Sequence, residues 1–279
     1  MYKKILAAVN EYTNSEMAAR YAISVAKSCR ARLTLMSVSP QGASPGALRK
    51  EEAALERLSI EAEWHGVVTE KVVVPGEPLE SIAGHVREHG IDLVFIATRR
   101  EEVARRLFVN TLSRKMMLKL PCSVAAVRVV RMERAAPRKI LVPLRGGRQF
   151  DEERAYFIAR LAEGSGSRVT LFHLPEPITK FFHGETHLRP SERDEVIPRD
   201  IVEFMDELGR QGIPHEKRTA TGSVSRTITS EAAFGRSDLI VMGASQRSLI
   251  RSFIKGNPME EVLRETPCNL IIFRPRHAR

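Results

Sequence analysis

The chain has 279 residues, of which 43% are hydrophobic and 28% charged, a composition that is ordinary for a folded globular protein and excludes an intrinsically disordered one. Its apolar runs have the length of strands, well below the roughly 18 to 20 residues of a membrane helix, and its start lacks the features of a secretory signal, so we expect a cytoplasmic protein without membrane insertion. Residues 1–135 hold 21 Lys+Arg against 15 Asp+Glu (+6) and the remainder 23 against 19 (+4), without a dense basic run, so nucleic acid is not the expected partner.

The first half of the chain alternates between strand-like and helix-like segments. Short aliphatic and β-branched runs predict strands at Ile5–Val9, Leu33–Val38, Val67–Val74, Leu93–Ala97 and Val124–Val129. Helical spacing between them predicts helices at Ser15–Ser28, Leu48–Trp64, Pro78–His89 and Val109–Leu120, the first of them capped by Asn14 or Ser15. This alternation is typical of a parallel sheet with helices on both faces.

The second half of the chain repeats the first. At an offset of 146, Ile91–Val94 matches Ser237–Ile240, Gly76 matches Gly222, and Pro121-Cys122 matches Pro267-Cys268. The amino-terminal strands, which start near Lys3 and Arg138, match at an offset of 135, so the second copy carries extra residues. We therefore predict two domains, residues 1–132 and 137–279, with a linker at Arg131–Arg138.

The extra residues fall in the segment from Leu174 to Asp200. Its Phe181-Phe182 pair and its proline-rich flanks predict a lid or a partner-docking loop, whose removal should leave the fold intact. His183 and His187 have the spacing of a metal-binding pair on a helix, but Gly184 between them and the lack of a clear third ligand favour a surface loop. No metal site is predicted.

The loop after the fourth predicted strand is the place where such a sheet binds ligands. In the second copy it carries the frame Gly243, Gln246, Gly256 and Asn257. This frame resembles the Gly-x2-Gly-x9-Gly-Ser/Thr signature of the universal stress protein family, and the resemblance covers essentially the whole chain as a tandem pair. It implies two doubly wound five-stranded parallel sheets of the adenine nucleotide alpha-hydrolase-like type, with strand order 3-2-1-4-5, related by a pseudo-two-fold axis.

The two copies have kept this signature to different extents. The first copy has Ala97, Arg100, Asn110 and Thr111 in the frame. The charged residues from Arg99 to Arg106 predict a helix with i,i+4 salt bridges that covers a closed site. The acidic residue that the family places after the first strand is Asn10 in one copy and Arg145 in the other. Because glycine lets main-chain N–H groups approach anionic oxygens, nucleotide binding is expected only in the second copy.

The resemblance thus implies at most one weak site for ATP or a related nucleotide, and Gly256→Val should abolish it. The candidate residues of this site are Gly243, Gln246, Arg247, Gly256, Asn257, Arg145 and Leu174. Gly146-Gly147 lacks the Gly-Lys-Ser/Thr ending of a Walker loop and reads as a simple strand-to-helix turn.

We find no catalytic set of residues in the sequence, and the three cysteines read as buried thiols. The expected function is that of a stress-response protein that binds a partner protein or a small ligand without turnover. The alternative is an ATP-binding switch or slow ATPase that works through the second domain. We expect the fifth strands of the two copies to pair antiparallel, so that one chain mimics a dimer, and homodimerisation of the whole chain is left open.

Overall fold

The chain folds as the predicted alternation of strands and helices. The structure, a computed structural model, describes residues 1–98, 111–133, 136–146, 150–175, 197–245, 249 and 258–276. The strands are β1 (Lys4–Val9), β2 (Arg32–Ser39), β3 (Thr69–Pro75), β4 (Leu93–Ala97), β5 (Ser123–Arg128), β6 (Lys139–Leu144), β7 (Arg168–His173), β8 (His215–Thr219), β9 (Leu239–Gly243) and β10 (Asn269–Arg274). The helices in the described ranges are α1 (Thr13–Cys29), α2 (Pro45–Trp64), α3 (Pro78–His89), α4 (Leu112–Lys119), α5 (Glu152–Ser165), α6 (Arg199–Arg210), α7 (Val224–Phe234) and α8 (Pro258–Glu265).

Two helices begin earlier than the sequence predicts. The N-cap of α1 is Tyr12, which makes no side-chain capping bond, so the prediction of an Asn14 or Ser15 cap is wrong. Ser15 instead lies in the first turn, where its hydroxyl donates to the Tyr12 carbonyl at 2.7 Å. Helix α2 starts at Pro45 behind the Ser44 cap, because proline fits the first turn of a helix, where its missing N–H would have no partner.

The repeated residues of the sequence have equivalent structural roles. Asp92 and Asp238 each accept main-chain N–H bonds at the start of the first strand of their own half, the former from Lys3 and Lys4. Gly76 and Gly222 have φ angles of 142° and 139°, a conformation that residues with a Cβ rarely adopt. The repeat is therefore kept where backbone geometry or strand ends require particular residues.

All ten strands form one sheet, in the order β3-β2-β1-β4-β5-β10-β9-β6-β7-β8. Each five-stranded half is parallel, and the halves join where β5 and β10 pair antiparallel. In this pairing Ile272 lies opposite Ala126, its equivalent at the offset of 146, so the pseudo-two-fold axis passes between these two residues. The predicted strand order and the predicted antiparallel meeting of the fifth strands are confirmed.

Helices α1 and α5, which are equivalent in the repeat, also pack against each other across this axis. Their backbones approach closely at Gly164, where an added Cβ would stand 1.9 Å from the Ser24 carbonyl oxygen. Beneath them, Phe157 stacks on Phe273 of β10 with ring centroids 4.2 Å apart. The two halves therefore share one hydrophobic core on this face of the sheet.

Two of the three cysteines are buried packing residues. Cys122 and Cys268 are buried, and burial raises the pKa of each thiol to about 12. Cys29 is only partly buried, with its Sγ 3.7 Å from the hydroxyl of Tyr156. The prediction of buried thiols therefore holds for Cys122 and Cys268 and only in part for Cys29.

Within the ranges described above, no helix is long and apolar enough to cross a membrane.

Candidate functional site

A cleft of about 830 Å³ opens at the carboxyl ends of the strands in the C-terminal half. It lies where the strand order reverses, between β6 and β9. These two strands pair only at Ile140–Leu239 and Leu141–Ile240, whereas the equivalent strands β1 and β4 pair at three positions. Strands β6 and β9 therefore separate early, and this leaves room for the cleft.

Both halves of the chain line this cleft. The C-terminal half contributes Arg145 after β6, the start of α5, and Gly243 at the end of β9. Tyr2 and Asp92 of the N-terminal half complete one wall. They come from the amino ends of their strands, because antiparallel pairing of β5 with β10 places the amino edge of one half beside the carboxyl edge of the other.

Arg154 fills the space between the ends of β6 and β9. Its Nη2 donates to the carbonyl of Pro143 at 2.9 Å. Its side chain also lies against Gly243, since a Cβ added there would stand 3.0 Å from three of its atoms. Pro143 and Gly243 thus leave room for a guanidinium where the N-terminal half has the smaller, buried Ala19.

The loop after β6 is held by His173 and Pro198. Gly146 has a φ of 72°, and a Cβ on it would lie 2.6 Å from Pro198 Cγ and 3.0 Å from His173 Nε2. Burial lowers the pKa of His173, and a hydrogen bond with the main chain of Arg145 opposes that effect. A neutral imidazole at this place keeps the loop in position without adding charge to the cleft.

The cleft carries charges of both signs. Its basic side chains are Arg145, Arg154 and Arg276, and its acidic ones are Asp92, Asp151, Glu152, Glu153 and Asp200. Three of the carboxylates, those of Asp92, Asp151 and Glu153, have structural roles. Asp92 binds the start of β1, and Asp151 caps α5 by accepting from the Arg154 N–H at 3.0 Å. Local N–H donors thus engage these carboxylates, and Arg145 and Arg276 add positive charge to the lining, whereas Arg154 is engaged by the Pro143 carbonyl.

Glu153 joins the two halves at the edge of the cleft. It accepts hydrogen bonds from the Tyr2 hydroxyl at 3.3 Å, from the Ser123 hydroxyl, and from the Arg276 N–H at 3.0 Å. Tyr2 and Ser123 belong to the N-terminal half and Arg276 to the C-terminal half. Glu153 is therefore a structural link rather than a candidate ligand-binding group.

The N-terminal half has a different chemistry at the equivalent edge. The side-chain oxygen of Asn10 accepts from the Tyr12 N–H at 3.0 Å, so this residue forms a local turn. Ala97 replaces the first glycine, and Thr111 caps α4 by accepting from the Arg114 N–H at 3.2 Å. The proposed salt-bridged cover at Arg99 to Arg106 and the frame positions Arg100 and Asn110 lie outside the described residues.

The structure brings together two of the predicted site residues, Gly243 and Arg145, which both line the cleft. Leu174 is 5% exposed and packs in the core on the other face of the sheet. The predicted site residues Gln246, Arg247, Gly256 and Asn257 lie outside the described ranges, as do Phe181, Phe182, His183 and His187 of the insert.

Arg154 is not among the site residues predicted from the sequence. Two signals in the sequence point to it. A cation in the first turn of a helix opposes the helix dipole, and Arg154 follows an Asp-Glu-Glu start that suits that dipole well. Its equivalent in the first copy is Ala19. A charge that is both unfavourable to its helix and absent from the other copy indicates a role outside the helix.

Two segments of the chain, residues 1–128 and 137–274, match the model of the universal stress protein family. No curated protein sequence matches the chain. Among solved structures, a universal stress protein from Archaeoglobus fulgidus DSM 4304 is similar over 98% of this chain and 96% of that chain, with 14% identity and a TM-score of 0.67. A functionally unknown protein from Pseudomonas aeruginosa PAO1 covers 99% of this chain and 93% of its own, with 15% identity and a TM-score of 0.62.

A universal stress protein in complex with cAMP also matches, over 47% of this chain and 99% of that chain, with 16% identity and a TM-score of 0.38. At these identities the solved structures establish the fold and leave the ligand of this chain open.

Proposed function

Because this chain belongs to the universal stress protein family, we propose that it acts in the stress response of the cytoplasm by binding a ligand rather than by turnover. The ligand cleft is the one at the carboxyl edge of the C-terminal half. A phosphate-bearing small molecule such as ATP is the ligand class that suits it. The observation behind this proposal is that Arg145 and Arg276 line the same cleft as Gly243, at the switch point of the sheet.

Arginine side chains are suited to phosphate because the guanidinium offers several N–H donors in a plane. Gly243 supports the same function, since without a Cβ it lets a ligand that displaces Arg154 approach the end of β9 closely. The partly retained frame of the family adds Gln246, Arg247, Gly256 and Asn257 to the proposed site, and these remain predictions.

Arg154 makes the proposed binding weak. In the structure its guanidinium occupies the cleft between Pro143 and Gly243, so a nucleotide has to displace it. Breaking a hydrogen bond from a charged donor costs about 1.5–3 kcal/mol, which corresponds to roughly 10-fold or more in affinity. We therefore expect one weak ATP site per chain, whose affinity is lower by about 10-fold or more than it would be without Arg154.

The alternative function, an ATP-dependent switch or slow ATPase, uses the same cleft. It is favoured by the retained Gly243 and opposed by Arg145, which stands where the family has an acidic residue. Hydrolysis of ATP by the full chain, lost in Gly243→Val, would support this alternative over simple binding.

Calorimetric titration of the full chain with MgATP tests the proposal. Arg154→Ala should bind ATP about 10-fold more tightly than the wild type, because it removes the side chain that occupies the cleft. Arg145→Ala should bind more weakly. Arg168→Ala is the matched control: it removes the same charge from the exposed start of β7, at the opposite edge of the sheet, and should bind as the wild type does.

Two results would contradict the proposal. If neither the wild type nor Arg154→Ala bound ATP or pyrophosphate at millimolar concentration, the cleft would not be a phosphate site. If Arg154→Ala weakened binding as much as Arg145→Ala, Arg154 would be a ligand-binding residue rather than an occupant of the cleft.

A further inference from the structure

The arginine at position 114 connects the N-terminal half to the segment that follows β9 in the C-terminal half. Arg114 lies in the first turn of α4 and is 1% exposed. Its Nη2 donates to the main-chain carbonyl of Leu249, 135 residues further along the chain. The Leu249 side chain is fully buried, and its N–H donates to the carbonyl of Ser245 at 3.0 Å. Ser245 lines the ligand cleft.

The position of Arg114 is costly for the protein. A cation in the first turn of a helix opposes the helix dipole, and a buried guanidinium loses its hydration. Burial accordingly lowers the pKa of Arg114, while the negative charge of Glu260 opposes that effect. The hydrogen bond to the Leu249 carbonyl is one interaction that offsets these costs.

Glu260 is the equivalent of Arg114 in the repeat, at the offset of 146, and lies in the first turn of α8. Burial raises the pKa of its carboxyl group, and the charge of Arg114 lowers it. In a symmetric pair of identical halves, these two positions would carry like charges near the axis. Here they carry opposite charges, so the two halves have become complementary rather than identical.

Because Arg114 and Glu260 carry opposite charges, the hydrogen bond between the halves is made in one direction only. Arg114 offers donors to a carbonyl of the C-terminal half, whereas an ionised Glu260 has only acceptors and cannot make the equivalent bond to the N-terminal half. The anchored segment belongs to the half that has kept Gly243. The equivalent position in the other half has lost its glycine to Ala97.

We propose that Arg114 is a positioning residue, by which the N-terminal half fixes Leu249, and through the Leu249 N–H the carbonyl of Ser245, beside the ligand cleft of the C-terminal half. This inference rests on the proposed function for the identity of the cleft as the ligand site. In this arrangement the N-terminal half has a role that does not require it to bind a ligand. It supplies the Arg114 guanidinium as a hydrogen-bond donor, whereas the equivalent residue of the C-terminal half, Glu260, is an acceptor.

Hydrogen–deuterium exchange of the full chain tests this inference without any ligand. In Arg114→Met, the peptide that spans Gly243 to Leu249 should exchange about 10-fold faster, because the segment loses a charged hydrogen bond. Arg114→Lys, which keeps the charge and a donor, should exchange more slowly than Arg114→Met.

The double variant Arg114→Glu with Glu260→Arg is the matched control for stability, since it keeps the pair of opposite charges but moves the donor to the other half. It should melt near the wild-type temperature and still show faster exchange from Gly243 to Leu249. Wild-type exchange at Gly243 to Leu249 in both Arg114→Met and the double variant would overturn the inference.

Titration with MgATP then separates the two proposals. Weaker ATP binding by the double variant, by about 10-fold, would support both. If the wild type bound no ATP but the exchange followed Arg114 as described, the proposed ligand would be wrong and the positioning role of Arg114 would stand.

Discussion

At the scale of single residues, the two halves differ most at the carboxyl edge of the sheet. Ala19 and Ala97 of the first half are replaced by Arg154 and Gly243 in the second. The smaller residue at the strand end accommodates the larger one on the helix, so the arginine reaches the carbonyl of Pro143. The second half thus has a guanidinium between the ends of β6 and β9, where the first half has only alanine side chains at the equivalent positions.

His173 makes the stability of the C-terminal half depend on pH. Burial holds its pKa below the ordinary value of 6.5 in the folded protein, so the unfolded chain takes up the proton first as the pH falls. The neutral imidazole therefore contributes its full stability above about pH 6.5, and this contribution is lost as the pH falls below that value. His85 has a lowered pKa as well and adds to the same trend.

We expect the melting temperature of the wild type to decrease as the pH is lowered from 7.5 to 5.5. The melting temperature of His173→Gln should decrease less over the same range. His65→Gln, a change at an exposed histidine, should follow the wild type. Parallel pH profiles for wild type and His173→Gln would show that the protonation of His173 is not linked to folding.

At the scale of elements, the contact between α1 and α5 depends on glycine. The two helices come so close that Ser28 donates to the Arg160 carbonyl at 2.7 Å, and the Gly164 position has no room for a methyl group beside Ser24. Glycine is a poor helix former, so its presence inside α5 is explained by packing rather than by helix propensity.

Gly164→Ala should lower the free energy of unfolding by about 2–3 kcal/mol, since the added methyl group forces the helices apart. Gly84→Ala is the matched control, because Gly84 lies inside α3 with no atom within 4 Å of the added Cβ. This control should gain about 0.5–1 kcal/mol from helix propensity. Urea denaturation measures both, and equal effects of the two substitutions would contradict the close packing of α1 on α5.

At the scale of the whole molecule, the antiparallel meeting of β5 and β10 makes one sheet from two halves. Val124 and Leu270 are fully buried there, and the buried Asn269 holds the start of the linker by accepting N–H bonds from Val130 and Arg131 at 2.8 and 2.9 Å. The two halves therefore have neither an exposed edge at the centre nor separate cores, and we expect them to unfold together.

Val124→Asp combined with Leu270→Asp should lower the free energy of unfolding by more than about 4 kcal/mol, because both charges enter an apolar core. The variant should also bind a hydrophobic dye that the wild type does not bind. Val73→Asp is the control, at a half-exposed position on the outer strand β3, and should change little. Wild-type stability of the double variant would mean that the fifth strands do not hold the halves together.

The sequence by itself determined the architecture, because periodicity and repetition are local properties that survive without any knowledge of contacts. The landmarks at Gly76 and Gly222 predicted the repeat, and they recur because the backbone there needs a conformation that glycine adopts easily. The family resemblance supplied the strand order, and the apolar fifth strands predicted the antiparallel join. The α1 cap was missed because several residues near Tyr12 offer hydroxyl or amide groups and spacing alone cannot choose among them.

The tertiary structure alone decided what fills the cleft and which residues reach it. Arg154 and Gly243 are far apart in the sequence, and so are Arg114 and Leu249. Each pair meets only because a parallel sheet gathers its strand ends at one edge and the pseudo-two-fold axis brings the other half beside that edge. The pattern of hydrophobic residues specifies which face of an element is buried, but it does not specify where a long polar side chain finds its partner, since that depends on the relative placement of several elements at once.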